Sequence, residues 1–282
     1  MGDTALVLGG GGHTGVGWEA GILYGLAEAG ADLSTADLVV GTSAGSVVGA
    51  QLASGLLTPA ELYERQLVDP SGEAAARMGP GLLARAAVAL LRSRTPEAYG
   101  ATLGAMARAT ATADVAERLA VIGERLVSHD WPERRLLVTA VDAVTGEFRA
   151  FDRDSGAGLV TAVGASCAVP GVWPPVTALG RRWIDGGTRS GTNADLAAGY
   201  RRVVILAPIA AGGGVLTSAR AHAERLRAGG SRVLLITPSR EAKRAFGLNV
   251  LDPARRAPAA RAGFAQAAEH AEAAAALWAD RP

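Results

Sequence analysis

The pentapeptide Gly41-Thr-Ser-Ala-Gly45 constrains this chain more than any other segment. It follows the apolar run Leu38 to Val40, read as a strand, and precedes Val47 to Leu52, read as a helix. A strand that turns directly into a helix brings two backbones close together, so glycine at both ends of the pentapeptide removes side chains that would collide. Such a turn is strained and pushes the central Ser43 out at the sheet edge, hydroxyl first. The pattern on its own also arises as a plain structural turn. The strand before it and the helix after it favour the serine reading.

A second glycine cluster, Gly9 to Gly12 followed by His13-Thr14-Gly15, lies between the buried run Ala5 to Leu8 and a helix predicted over Trp18 to Ala29, with Gly30 as its stop. Gly10, Gly12 and Gly15 satisfy the dinucleotide-binding spacing, but that fold needs an acidic residue about 20 residues further on, at the end of the second strand. Here that strand runs into Gly41. A phosphate loop of the Walker type fails because no lysine follows Gly15. An oxyanion hole fits. Gly10, Gly11 and Gly12 carry no side chains and open a helix, so their N–H groups can converge where negative charge develops.

A serine nucleophile needs a base. The histidines are His13, His129, His222 and His270, and none falls on a late strand-end loop where a hydrolase triad keeps its histidine. His222 and His270 lie on helical patterns and are read as solvated or packing residues, His13 as a solvated loop residue. Among carboxylates Asp185 stands out, because Arg182-Trp-Ile-Asp-Gly-Gly187 places it after a short apolar run and before two glycines. A carboxylate is a weak base toward a hydroxyl and needs desolvation, for which Trp183 and Ile184 are at hand. The same aspartate also suits a turn before Gly186 and Gly187.

The chain of 282 residues is read as one α/β domain with a mostly parallel sheet covered on both faces. Strands are expected at Leu136 to Val141 and Glu147 to Phe151, forming a hairpin, and at Val203 to Ala207 and Val233 to Thr237. Residues 58 to 128 read as a helical cap insert, with helix starts at Thr58-Pro59 and Thr95-Pro96. Within it, Leu82 to Arg94 is read as an ordinary core-facing helix, with contact to a lipid interface as the alternative. Residues 253 to 280 read as an alanine-rich packing helix whose face carries Phe264, Ala268, Ala271, Ala275 and Trp278.

Twenty-eight basic residues against 27 acidic ones leave a net charge of +1 without a basic stripe, which argues against a nucleic-acid partner. Cys167 is the only cysteine, so no intrachain disulfide forms and thiolate metal clusters are excluded. No signal peptide is visible, and a cytoplasmic setting is expected, with peripheral membrane contact admitted.

Taken in order, the glycine loop, the G-x-S-x-G serine and the D-G-G aspartate resemble the patatin-like phospholipase family. Gly164-Ala-Ser-Cys-Ala-Val-Pro-Gly-Val-Trp-Pro-Pro175 resembles the family's segment upstream of its aspartate. The resemblance runs from residue 5 to about residue 210 and rests on Gly10, Gly11, Gly12, Gly15, Gly41, Ser43, Gly45, Asp185, Gly186 and Gly187. It implies a three-layer α/β/α fold and metal-independent, cofactor-free hydrolysis of lipid acyl esters, with Ser43 as nucleophile, Asp185 as base and an acyl-enzyme intermediate. Acyltransfer or thioester cleavage by the same dyad, and a non-catalytic lipid-binding module, are the alternatives. Many members carry arginine or lysine just before the loop's last glycine; this chain has Thr14.

Overall fold

The computed structural model describes residues 3–68 and 75–279. Along the chain run β1 (Thr4–Leu8), α1 (Gly12–Glu28), β2 (Leu38–Gly41), α2 (Ala44–Ala53), α3 (Pro59–Leu67), α4 (Pro80–Arg92), α5 (Pro96–Ala109) and α6 (Val115–Arg125). They are followed by β3 (Arg135–Asp142), β4 (Phe148–Phe151), α7 (Leu159–Ser166), β5 (Val176–Ala178), β6 (Arg181–Asp185), β7 (Arg202–Leu206), α8 (Ala219–Ala228), β8 (Arg232–Ile236), α9 (Arg240–Phe246), α10 (Arg256–Ala267) and α11 (Ala271–Trp278).

All the strands join one sheet. β8, β7, β1, β2 and β3 run parallel, while β6 and β4 pair antiparallel with β3, and β5 pairs antiparallel with β6. The two-residue period of a strand sorts β1 between two cores. Leu6 and Leu8 pack with residues of α1, α2, α7 and α10 on one face, and Ala5 and Val7 pack with Ala219, Ala223 and Leu226 of α8 on the other. Both faces are therefore covered, which makes the three-layer α/β/α arrangement.

Registry decides where the sheet's chemistry lies. β4 occupies one edge of β3 from Val138 to Val141. The same strand pairs with β2 as far as Gly41↔Val138 and with β6 from Asp185↔Ala140, so β2 and β6 must share the opposite edge. The C-terminal ends of β2 and β6 thus meet head to head.

Two sequence expectations change in the structure. Helix α1 begins at Gly12 instead of Trp18, since tertiary packing overrides the poor helix propensity of its glycines. An added Cβ at Gly17, Gly21 or Gly25 would lie within 2.5 Å of Arg256 O, Ala260 O or Ala267 Cβ, so this glycine stripe is where α10 crosses α1 at backbone contact. The tail forms two helices, not one: the buried face of α10 carries Ala259, Ala260, Gly263, Gln266 and Ala267, with Phe264 at its rim stacked on Tyr24 and Tyr63 and Ala268 exposed, while α11 buries Trp278 as expected. Backbone contact with α1 selects the small residues for the interface. Helix α4 faces the core along one stripe, with Ala89 buried and Leu82, Ala86 and Leu90 packed beside it, and leaves Leu83, Val88 and Leu91 exposed.

Helices α3 and α5 start where the sequence places them, at Pro59 and Pro96, with Thr58 and Thr95 accepting hydrogen bonds as N-caps. The β5–β6 hairpin was not anticipated, because exposed Arg181 and Arg182 hide the strand signal ahead of Trp183 and Ile184. Among the described residues no helix is long and apolar enough to cross a membrane.

Gly21→Ala is expected to destabilise the fold by about 1–3 kcal/mol, because its Cβ meets the Ala260 carbonyl at 2.1 Å. Gly81→Ala on α4, where nothing lies within 4 Å, is expected to be near neutral. Denaturant unfolding of both variants measures the difference.

Candidate active site

Ser43 sits at the junction of β2 and α2 with φ 52° and ψ −116°, a left-handed conformation that costs a non-glycine residue about 1–3 kcal/mol. Surrounding hydrogen bonds impose it. The Ser43 N–H donates to Ser166 Oγ at 2.8 Å, the Ser46 hydroxyl donates to Ser43 O at 2.6 Å, and the Gly45 N–H donates to Gly9 O at 3.0 Å. The flanking glycines are required by close approach. A Cβ on Gly45 would lie 2.1 Å from Leu8 O, and one on Gly41 would lie 2.6 Å from Ser46 Cα.

Asp185 is the last residue of β6, brought beside the serine turn by the shared edge of β3. Its Oδ1 accepts the Gly187 N–H at 2.7 Å, and its own N–H donates to Ala168 O at 3.0 Å. Burial pushes its carboxyl up to about 6 from the ordinary 3.8, opposed by hydrogen bonding from the Ser43 side chain and by the Gly187 N–H. The turn after it is as tight as the serine turn, since a Cβ on Gly186 would meet Thr139 Oγ1 at 2.3 Å.

One residue that sequence reasoning missed ties the two turns together. Asn193, left-handed at φ 47° and fully buried, brings its side-chain Nδ2 to Thr42 Oγ1 at 3.1 Å, Gly186 O at 3.2 Å and Ser190 O at 3.0 Å. Behind it, Ser190 Oγ lies 3.1 Å from His222 Nε2, and His222 Nδ1 lies 3.7 Å from Asp195. This set has the makeup of a Ser-His-Asp triad, yet Ser190 and His222 are buried and line no part of the cavity at Ser43. It serves as a support for Asn193, whose N–H Ser190 Oγ accepts at 3.2 Å. The segment resembling the family's upstream motif clasps both turns: Ser166 and Cys167 contact the Ser43 backbone, and Ala168 holds Asp185. Burial pushes the Cys167 thiol up to about 11, which keeps it protonated and unreactive.

Gly10, Gly11, Gly12, Ser43, Asp185 and Gly187 line one cavity of about 270 Å³. The Gly10 N–H donates to Gly191 O at 2.8 Å, which leaves the N–H groups of Gly11 and Gly12 as the loop's candidate donors. The N-terminus of α1 adds its dipole at the same point. Thr14 is buried and its hydroxyl donates to Gly11 O at 3.1 Å, fixing the loop from beneath. Gly15 packs against Ala44 and so seats α1 against α2. The rest of the wall is apolar: Leu82 and Ala86 of α4, Tyr99 and Leu103 of α5, and Val169, Ile209, Leu216 and Leu251.

His13 is buried, not solvated, because α1 has already begun there; it lines a neighbouring cleft that also touches Ser43. His129 contacts Gly123 O, and His270 contacts Gln266. Among the described residues no group of three or more His, Cys, Asp or Glu side chains is arranged to hold a metal ion. A strained serine, a desolvated carboxylate beside it and a glycine loop without side chains thus share one cavity wall.

The family model described as patatin-like phospholipase matches residues 6–198. Among solved structures, VipD from Legionella pneumophila is 14% identical with a TM-score of 0.48, over 96% of this chain and 67% of that one. The type III effector protein ExoU is 18% identical with a TM-score of 0.43, over 97% of this chain and 53% of that one. No curated protein sequence matches this chain significantly.

Because the carboxyl of Asp185 is raised to about 6 in the fold from 3.8, its ionised form is disfavoured by folding. Stability from this group is greatest below the lower value and falls as pH rises through the upper one. Asp185→Asn is therefore expected to be more stable than wild type near neutral pH by about 3 kcal/mol, with the difference closing in acid. Unfolding measured across pH tests this.

Proposed function

Since the chain belongs to the patatin-like phospholipase family, we propose that it is a lipid acyl hydrolase that works through a Ser43–Asp185 dyad and an acyl-enzyme. Ser43 Oγ attacks the ester carbonyl while its proton passes to Asp185. The oxyanion is met by the N–H groups of Gly11 and Gly12, two donors fixed before the charge appears. Collapse of the tetrahedral intermediate breaks the carbonyl–alkoxy bond, and the protonated Asp185 returns its proton to the departing alcohol. Water then attacks the acyl-serine, Asp185 takes its proton, the acyl–Oγ bond breaks, and the proton goes back to Ser43.

The observation that carries this reading is the placement of the strained Ser43 beside a buried carboxylate on one cavity wall with the glycine loop. The apolar remainder of that wall suits an acyl chain. The exposed Leu83, Val88 and Leu91 of α4, a helix whose Leu82 and Ala86 line the same cavity, favour a substrate presented from a lipid surface.

Labelling with a fluorophosphonate followed by peptide mapping tests the nucleophile. Label confined to Ser43, with Ser43→Ala folded but slowed at least about a thousandfold on a nitrophenyl ester, is the expected result. A folded wild type that takes no label and turns over no ester points to a lipid-binding module. Acyl transfer to an added alcohol or thiol in preference to water points to an acyltransferase.

A further inference from the structure

Helix α4 is apolar on two sides, and only one of them is covered. Its inner stripe of Leu82, Ala86, Ala89 and Leu90 packs on the core, and Leu82 and Ala86 also line the cavity at Ser43. At about 100° per residue, Leu83, Ala84, Ala87, Val88 and Leu91 fall on the opposite side. All five are exposed, Leu91 at 86%. A helix that serves only as a cavity wall keeps its outer side polar, so this second apolar stripe calls for a second partner. Two neighbours extend the apolar rim. Leu248 is fully exposed beside Asn249, whose side-chain amide donates to Ala76 O at 2.9 Å just ahead of α4, and Ile209, itself exposed, lines the cavity.

The charge on this helix says what that partner is. Arg85 and Arg92, two turns apart, share one edge of the outer stripe, and Arg94 follows the helix. With Val88, Ala98 and Met106 they line a groove of about 730 Å³ between α4 and α5, and among the described residues no carboxylate lines it. All three arginines are exposed, and none has an ion-pair or hydrogen-bonding partner among the described residues. From residue 74 to residue 96 the sequence carries four arginines and no Asp or Glu. Apolar side chains edged by arginine, with no acid among them, let a helix lie in the headgroup region of an anionic lipid layer. A second copy of the chain fits poorly there, since a two-fold contact would set these arginines against their own kind.

We propose that α4 docks the protein on an anionic lipid surface, with Leu83, Val88 and Leu91 entering the layer while Arg85, Arg92 and Arg94 meet its headgroups. The inference rests on the lipid acyl hydrolase reading and adds a control to it. Because one side of α4 lies in the layer and the other walls the cavity, an acyl chain leaving the layer passes along a single helix toward Ser43. The charge of the surface then sets turnover even when the molecule being cleaved is neutral.

The test separates the surface from the substrate. Vesicles of phosphatidylcholine, with or without about one-third phosphatidylglycerol, carry monooleoylglycerol, an uncharged ester. Flotation of Ser43→Ala with these vesicles measures binding without turnover. Binding to the phosphatidylglycerol vesicles is expected to be at least about tenfold tighter at low salt, with about fivefold lost for each of Arg85→Gln, Arg92→Gln and Arg94→Gln added to it, and at least as much for Leu91→Asp. In the active protein the same four substitutions should slow hydrolysis of monooleoylglycerol in the anionic vesicles in parallel with binding. Hydrolysis of a soluble nitrophenyl ester should stay unchanged, which shows fold and site intact. Equal binding to the two kinds of vesicle, binding to neither, or unchanged binding in all four variants overturns the proposal. So does a dimer in solution that Leu91→Asp turns into a monomer, which gives the stripe to a second copy. Binding that follows the expected pattern while wild type hydrolyses neither ester and takes no label at Ser43 defeats the hydrolase reading and leaves the docking surface standing.

Discussion

One edge of β3 is shared by two strands that run toward each other. β2 pairs along it up to Gly41, β6 pairs along it from Asp185, and Val138 and Ala140 stand two residues apart at the junction. Backbone hydrogen bonding therefore brings the end of one strand to the end of the other before any side chain takes part. The two tight turns that follow, at Gly41–Gly45 and at Asp185–Gly187, are forced together by sheet registry, and Asn193 reaches across to both. The strain at Ser43 is tolerated because so much else fixes it: β1 through Leu8 and Gly45, Ser166 through the Ser43 N–H, and Ser46 through the Ser43 carbonyl.

The same packing sets the chemistry. Burial makes Asp185 a stronger base than an ordinary carboxylate, and the hydrogen bonds from Gly187 and Ser43 keep that shift moderate. A glycine loop under α1 offers donors without side chains, and Thr14 braces it. The helices between α2 and β3 then divide the space around the serine. α4 and α5 supply apolar walls, and α6 supplies Arg118 and Arg125 of the neighbouring cleft.

What the sequence made legible was what local backbone geometry dictates. The elbow, the loop and Asp185 each depend on glycines next to the functional residue, so a short window carries the whole signal. Asn193 acts at a contact 151 residues from Thr42, and no local pattern marks it; Ser166 lies in a segment the sequence does single out, but its bond to Ser43, 123 residues away, is not legible there. Arg118 stacks on Trp173, a contact between residues far apart in the chain that no local pattern marks. On α10 apolar spacing points to Phe264, which stacks on Tyr24 and Tyr63 at the rim, whereas backbone contact with Gly17, Gly21 and Gly25 demands alanine and glycine at the centre of the face. His13 reads as a solvated loop residue and His222 as a solvated or packing residue on a helix, and it is the fold that buries one beside a cleft and the other behind Asn193.

The central claim is that a desolvated Asp185 is the base for Ser43. Its most direct test is the pH dependence of Ser43 acylation, followed as the pre-steady-state burst from a nitrophenyl ester in wild type and in Asp185→Asn. The ionised carboxylate is the competent form, so the burst rate in wild type should be lost as pH falls through about 6, and that inflection should be absent from the residual rate of the variant. An inflection that persists unchanged in Asp185→Asn would assign the base to another group and contradict the account.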